Sequence, residues 1–438
     1  MKTAVQAKQI IHNEVRLFAN YANERAIPSI VDGLKPSQRK VVACALTENK
    51  QLKVSQLGTK AAERYDYKHG EASIIGTAVG LAQTFPGSNN WPLLEAIGQF
   101  GNRLSKAAAA PRYIYTKIIP GFHDMFSKED MAIMDFVMDE GVQLEPKVLL
   151  PALPLVLING AIGTGNGFAT SIMLHNPKDI AKAVAQAAAG KRLTPLVPWV
   201  KGFTGAVARD AASGQVSFIG KWEKKSANEL LITELPPDYY LEKYKTVLND
   251  LIDKGVIRDY DNESDEDNWR FSVSVPRSFW ENTPEQINKL LKLTQRDTQN
   301  FVLWDENDVL QTFKSAEAIV EHWTKHRMNV LAKRRQHTID ELLVQIGWLT
   351  AKQNFIIIWN NESDRFVKMK KEELKAHLKT IGFSEEHIER LLMLRITSLT
   401  IDEVSELEAD IAKLLKTKEY YEKITPADII SAELKKFA

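Results

Sequence analysis

Apolar and polar positions follow different rhythms in different parts of the chain. Up to about residue 125, short helical patterns are punctuated by Gly and Pro. One predicted helix runs from Pro36 to Leu46, and another opens near His69-Gly70 and continues through SIIGTAVGLAQTF. Short helices of this kind suit a helix-turn-helix or winged-helix unit, a pattern shared with many small α domains. The segment LLPALPLVLINGAIGTGNGFATS, residues 149–171, holds too much Pro and Gly for one helix and predicts strand, turn and loop. Between 200 and 275, ELLITEL and RFSVSV read as strands around the helical YLEKYKTVLNDLIDK, an α/β subdomain.

The last third changes period. Leu342, Ile346, Leu349, Gln353 and Ile356 mark a heptad seam, and Val404, Leu407, Ile411 and Leu414 mark a second one. Two such helices enclosing KEELKAHLKTIGFSEEHIERLLMLRI predict an antiparallel coiled-coil arm whose helical cap is a candidate dimerisation tip; a helical bundle folded back on its own core has the same pattern. The fold class expected is helix-rich α+β.

Charge refines this picture more than composition does. The chain has 438 residues, 44% hydrophobic, with 57 basic and 56 acidic side chains, so it is globular and nearly neutral. Residues 1–120, however, carry 16 basic and 8 acidic side chains, an electrostatic footprint for phosphates. The single cysteine, Cys44, excludes an intrachain disulfide and suits a reducing compartment such as cytoplasm. The first twenty residues lack the apolar core of a signal peptide, and the run Val148–Ile158 is interrupted by Pro151 and Pro154, so no membrane association is expected.

Several motifs fail on inspection. DYDNESDED at 259–267 has Ser264 where a calcium loop needs Gly and Arg270 where it needs Glu, so it reads as a solvated acidic loop. His322 and His326 flank Trp323 where a zinc protease needs Glu. Gly160, Gly163, Gly165 and Gly167 lack dinucleotide-binding spacing, and Gly220-Lys221-Trp222 is no phosphate loop. No metal site is expected on this chain.

A polar set in the basic third remains. Arg25, Lys35, Arg39 and Lys40 place four cations within sixteen residues, around a Gly turn and a Pro helix start, where phosphate contact is their natural use. His69-Gly70-Glu71 opens a helix whose N-terminus favours an anion. After Gly98-Gln-Phe-Gly-Asn102 and the run Ala107–Ala110 comes Arg112-Tyr113. A tyrosine behind an arginine in such a module is a candidate nucleophile on DNA, and a packed aromatic has the same signature. A phenol with pKa about 10 is about 0.1% ionised at pH 7, so attack on a phosphodiester needs neighbouring positive charge or a base.

RAIPSIVDGLKPSQRKVV, YKHGEASIIGTAVGLAQTF, IGQFGNRLSKAAAAPRY, LPLVLINGAIGTGNGFAT, LLITELP with NESDEDNWR, and LLMLRITSLT together resemble the breakage-reunion subunit of type IIA DNA topoisomerases, in the family's order along nearly the whole chain. In length the chain looks most like the medium subunit of T-even-like phage enzymes, without a C-terminal DNA-wrapping domain, which would place it in a host cytoplasm. The resemblance implies a winged-helix breakage-reunion domain over 1–150, a tower domain over 151–310 and an arm with a dimerisation cap over 311–438. It implies that Tyr113 is the nucleophile, with Arg112, Arg25 and His69 at the scissile phosphate. Lys35, Gln38, Arg39, Lys40 and Thr164 are then DNA contacts. Gln38 stands where bacterial relatives often have His, and Thr164 where the family usually has an isoleucine wedged between base pairs. The implied activity is an ATP-dependent double-strand passage through transient 5′-phosphotyrosyl links, with double-stranded DNA and a second copy as partners. Mg²⁺ and ATP are expected on a partner ATPase and metal-binding subunit.

Overall fold

The computed structural model describes residues 7–210, 213–395 and 399–437. It contains two compact units: residues 1–327 with 430–438, and residues 328–429. Both ends of the expected 311–438 arm, residues 311–327 and 430–438, thus belong to the larger unit.

The larger unit begins with helices α1 (Arg16–Ala26), α2 (Pro36–Glu48), α3 (Val54–Arg64) and α4 (Glu71–Ala82). Pro36 occupies the first turn of α2, where its missing N–H costs nothing, and Gln38 Oε1 accepts from the Lys35 N–H at 2.9 Å. Helix α4 buries Ile74, Ala78, Leu81 and Ala82, the one-sided spacing that the sequence carries. Gly58 on α3 lets it approach α4 closely, since a Cβ there would lie 2.5 Å from Ile75 Cγ1. Helix α3 is not among the elements the sequence predicts. Strand β1 (Leu52–Lys53) precedes it and pairs antiparallel with β2 (Tyr115–Thr116).

Next come the hairpin β3 (Phe136–Asp139) with β4 (Val142–Pro146), the helical turn α5 (Leu155–Asn159), and the hairpin β5 (Ala161–Thr164) with β6 (Ala169–Ile172). Helix α5 corrects the strand expected there: Leu155, Val156, Leu157 and Ile158 are all buried, and an apolar run buried on every side reads alike as helix turn or strand. The strands and the helix expected between 229 and 274 are present. Strands Asp259–Asn262, Phe271–Ser274, Glu229–Glu234 and Lys221–Lys224 form an antiparallel sheet in that order. Helix Leu241–Asp253 packs Tyr244 and Leu248 against Phe271 and Val273 of that sheet.

A helix spans Ala316–Phe366, with non-helical geometry at Glu362. At Arg327, 2% exposed, one guanidinium nitrogen donates to Asp130 and Glu433 at 2.8 Å each. In the smaller unit Phe355, Ile356 and Leu407 share a core with Leu378, Ile388 and Leu391, and Leu349 and Val404 pack on it, so two positions of each heptad seam enter one core. Lys352 bonds Glu403 beside them at 2.5 Å. Part of LLMLRITSLT, residues 396–398, lies outside the described residues.

Candidate nucleic-acid interface

The loop after α1, residues 27–35, is built from the turn Asp32-Gly33. Gly33 has φ +69°, and a Cβ on it would lie 2.4 Å from the Val156 nitrogen, so only glycine fits. Asp32 is fully buried. It accepts from the Leu34 and Leu149 N–H groups at 3.0 Å each and from Arg39, whose Nε lies 2.7 Å away. Trp304 O accepts from the Ile30 N–H at 2.8 Å, and Trp323 Nε1 donates to Val31 O at 3.0 Å.

This wiring engages one of the residues expected at DNA. Arg39 is 8% exposed, forked onto Asp32 and bonded to Leu34 O at 3.2 Å, so its guanidinium holds the loop. Lys40 is likewise engaged, with Nζ 2.7 Å from buried Glu145 and donating to Tyr65 O. Glu48 draws in Lys50, Lys60 and Arg64. Several of the cations counted in the sequence thus have carboxylate partners, although the one Glu48 charge offsets only one of its three. Lys35 is half-buried; its Nζ donates to Ile162 O at 2.8 Å, and burial pulls its pKa below the usual lysine value.

What the fold gathers is a groove of about 660 Å³ with walls that include Tyr21, Arg25, Lys35, Gln38, Lys40 and His69. Tyr21 Oη lies 2.6 Å from His69 Nε2, and the Arg25 guanidinium lies 6.0 Å from the Tyr21 ring centroid. Burial, and then the Arg25 charge, lower the His69 pKa, favouring neutral imidazole. Tyr21 gives no sequence signal, because a tyrosine on an amphipathic helix has the same spacing whether it packs or lines a site.

Tyr113 stands apart from these groove walls. It ends the turn Pro111–Tyr113 and is 66% exposed, whereas Ile114 beside it is buried. The Val54 N–H donates to Ile114 O at 3.0 Å, and Tyr115 exchanges both backbone bonds with Ile97, so the strand is fixed and Tyr113 projects from its start. The Arg112 guanidinium lies 4.8 Å from the Tyr113 ring centroid. Tyr115, two residues on and the alternative nucleophile on the same strand, is 36% exposed and sits within the β1–β2 pair.

On β5, Ile162 and Thr164 are both exposed on one face, Ile162 at 78%. The hairpin is seated by Asn23, which is buried and carries no signal in the sequence: its Oδ1 accepts from the Asn166 N–H at 2.7 Å and its Nδ2 donates to Asn166 O at 3.2 Å. Elsewhere, Glu263 pairs with Arg270 at 2.6 Å and His322 with Glu306 at 2.7 Å. Among the described residues no three His, Cys, Asp or Glu side chains are grouped to hold a metal ion, and no helix is long and apolar enough to cross a membrane.

The chain is similar to DNA topoisomerase 2, mitochondrial, of Dictyostelium discoideum, 32% identical over 96% of this chain and 33% of that protein. It is 36% identical to DNA topoisomerase 2 top-2 of Caenorhabditis elegans over 82% of this chain and 24% of that one. It thus spans a third or less of these relatives. Its fold matches the crystal structure of the Plasmodium falciparum topoisomerase II DNA-binding, cleavage and re-ligation domain with TM-score 0.87 and 30% identity, over 98% of this chain and 63% of that one. Residues 25–435 match the family of DNA gyrase/topoisomerase IV A subunits, and the chain belongs to that family.

Proposed function

We propose that this chain is the DNA-binding and cleavage-reunion component of an ATP-dependent type II DNA topoisomerase. The observation that carries the reading is the exposed Tyr113 beside Arg112 at the start of a strand held rigidly on both sides. In this reading Tyr113 Oη attacks a backbone phosphorus, the P–O3′ bond breaks, and the phenolic proton passes through water or a base to the departing 3′ oxygen. The product is a 5′-phosphotyrosyl ester. The reverse attack by the 3′-hydroxyl restores the phosphodiester, and one ester is exchanged for another, so no nucleotide is consumed in resealing. Arg112 offsets charge on the phosphate, and Arg25 and His69 supply further hydrogen bonds to it.

Because Tyr113 does not line the groove that holds Arg25 and His69, we read the complete site as formed between two copies, the tyrosine of one meeting the groove of the other. A double-strand break also requires two tyrosines. We assign residues 1–150 as the winged-helix breakage-reunion domain, 151–310 as the tower and 311–438 as the arm with the dimerisation cap. Lys35 and Gln38 then contact DNA. Mg²⁺ and ATP belong in this reading to a separate partner chain.

The test mixes the chain with its ATPase partner, Mg²⁺ and supercoiled plasmid, and quenches with detergent. Protein covalently attached at 5′ ends is the expected result. Tight DNA binding with no covalent product would make the chain a DNA-bridging protein of the same fold.

A further inference from the structure

His69 is held by two tyrosines from different elements. Tyr21 reaches it from α1, with Oη 2.6 Å from Nε2 and ring centroids 5.8 Å apart. Tyr67 meets the imidazole edge-on at 5.3 Å and is itself tied to Ser73, one turn into α4, by a 3.0 Å hydroxyl bond. Tyr21 lies four residues before Arg25 on α1, the spacing that puts two side chains on one helix face, and the Arg25 guanidinium lies 6.0 Å from its ring. One phenol thus contacts both groove residues that the proposed function places at the phosphate.

A neutral imidazole carries one N–H, and a partner on one nitrogen decides which. With the phenol donating to Nε2, the proton resides on Nδ1, and Nδ1–H is the group left to donate to an anion. We infer that Tyr21 is a positioning residue that selects the Nδ1–H tautomer of His69 and fixes its ring, so that His69 meets the DNA phosphate as a hydrogen-bond donor without being charged. This rests on the proposed function, because the phosphate is the anion that function brings to the groove. The lowered His69 pKa agrees, since the neutral ring is the form able to accept from a phenol.

Tyr21→Phe keeps the ring and deletes only the hydroxyl. In protein labelled with ¹⁵N at its nine histidines, the His69 signals are identified by their loss in His69→Gln. The unmodified chain should show the shift pair of an Nδ1–H imidazole, and Tyr21→Phe should move that pair toward the averaged position of a mixed tautomer population. Detergent-trapped cleavage should slow by about tenfold, the scale of one net hydrogen bond, while DNA affinity changes less than about twofold. Tyr21→Phe added to His69→Gln should cause no further loss. An unchanged tautomer in Tyr21→Phe, or losses that simply multiply in the double variant, would overturn the inference. The NMR measurement needs no DNA: absence of cleavage by the unmodified chain would sink the proposed function, and the Tyr21–His69 assignment would still be decided by the ¹⁵N shifts.

Discussion

Asn23 places both ends of its amide on one residue of the β5–β6 hairpin, accepting from the Asn166 N–H at 2.7 Å and donating to Asn166 O at 3.2 Å. The fit is tight: a Cβ on Gly165 would lie 2.1 Å from Asn23 Oδ1, and one on Gly163 1.9 Å from Ala26 O. The hairpin is thereby seated on the end of α1 that carries Arg25. Asn23→Ala should cost about 1–2 kcal/mol in urea unfolding, because it removes two hydrogen bonds between a buried amide and the backbone of the exposed Asn166. It should also reduce DNA bending, read by energy transfer between end-labelled dyes. A variant as stable and as able to bend DNA as the parent would show that the hairpin seats itself.

Two side chains exposed on one face of β5, Ile162 and Thr164, compete for the wedge role. Ile162 is apolar and 78% exposed, and an apolar insertion helps offset the few kcal/mol that unstacking a base step costs. Ile162→Ala should therefore lower the bend angle more than Thr164→Ala does. The opposite order would return the wedge to Thr164.

Arg39 and Lys35 should separate stability from binding. Arg39→Ala leaves Asp32 buried and uncompensated, at a cost of about 3–5 kcal/mol, and the loss should appear as a lowered denaturation midpoint without DNA. Lys35→Ala should instead weaken DNA binding and reduce its salt dependence by about one unit of slope. If Arg39→Ala folds with unchanged stability and loses DNA affinity, the guanidinium faces DNA after all.

Tyr113→Phe removes one oxygen and no cation. Covalent complexes should vanish on denaturing gels while DNA affinity stays within about twofold, a change small on the scale of a lost phosphate contact. Tyr115→Phe should still cleave. Covalent product from Tyr113→Phe would move the nucleophile elsewhere.

His175 gives the fold a pH dependence of its own. It is 1% exposed, with Nδ1 3.1 Å from Leu157 O, and burial lowers its pKa to about 4. An unfolded histidine titrates near about 6.5. The folded pKa is the depressed one, so the contribution is fully present above about 6.5 and is lost as pH falls toward 4, on the order of 3 kcal/mol in total. Urea titrations of the parent and of His175→Leu across that window should converge as pH drops. Parallel curves would mean that His175 charges freely in the folded protein.

Legibility in the sequence follows locality. Helix Pro36–Glu48 and the strand-helix-strand of 229–274 are readable because period and capping lie within each segment. The apolar faces of the two long helices are readable because each repeats one spacing, and Ile356 and Leu407 from them share a core. The bond from Arg39 to Asp32 is hidden because an arginine seven residues after an aspartate has the same spacing whether the turn brings the two together or not, and Asn23 is silent because its partner lies 143 residues away. Helix α3 escapes because its core face, Val54, Leu57, Gly58 and Ala61, contains a glycine that the pattern reads as a break but α4 requires.

The guanidinium of Arg327 touches Glu433 at 2.8 Å, although more than a hundred residues of chain separate them. The chain therefore departs from the larger unit and re-enters it at one place, and residues 328–429 are, in topological terms, an insertion between two neighbouring points of an already closed body. A change of length within that segment leaves its two junctions with the larger unit, at Arg327 and near Glu433, side by side. A short glycine-rich linker in its place should suffice to close the larger unit.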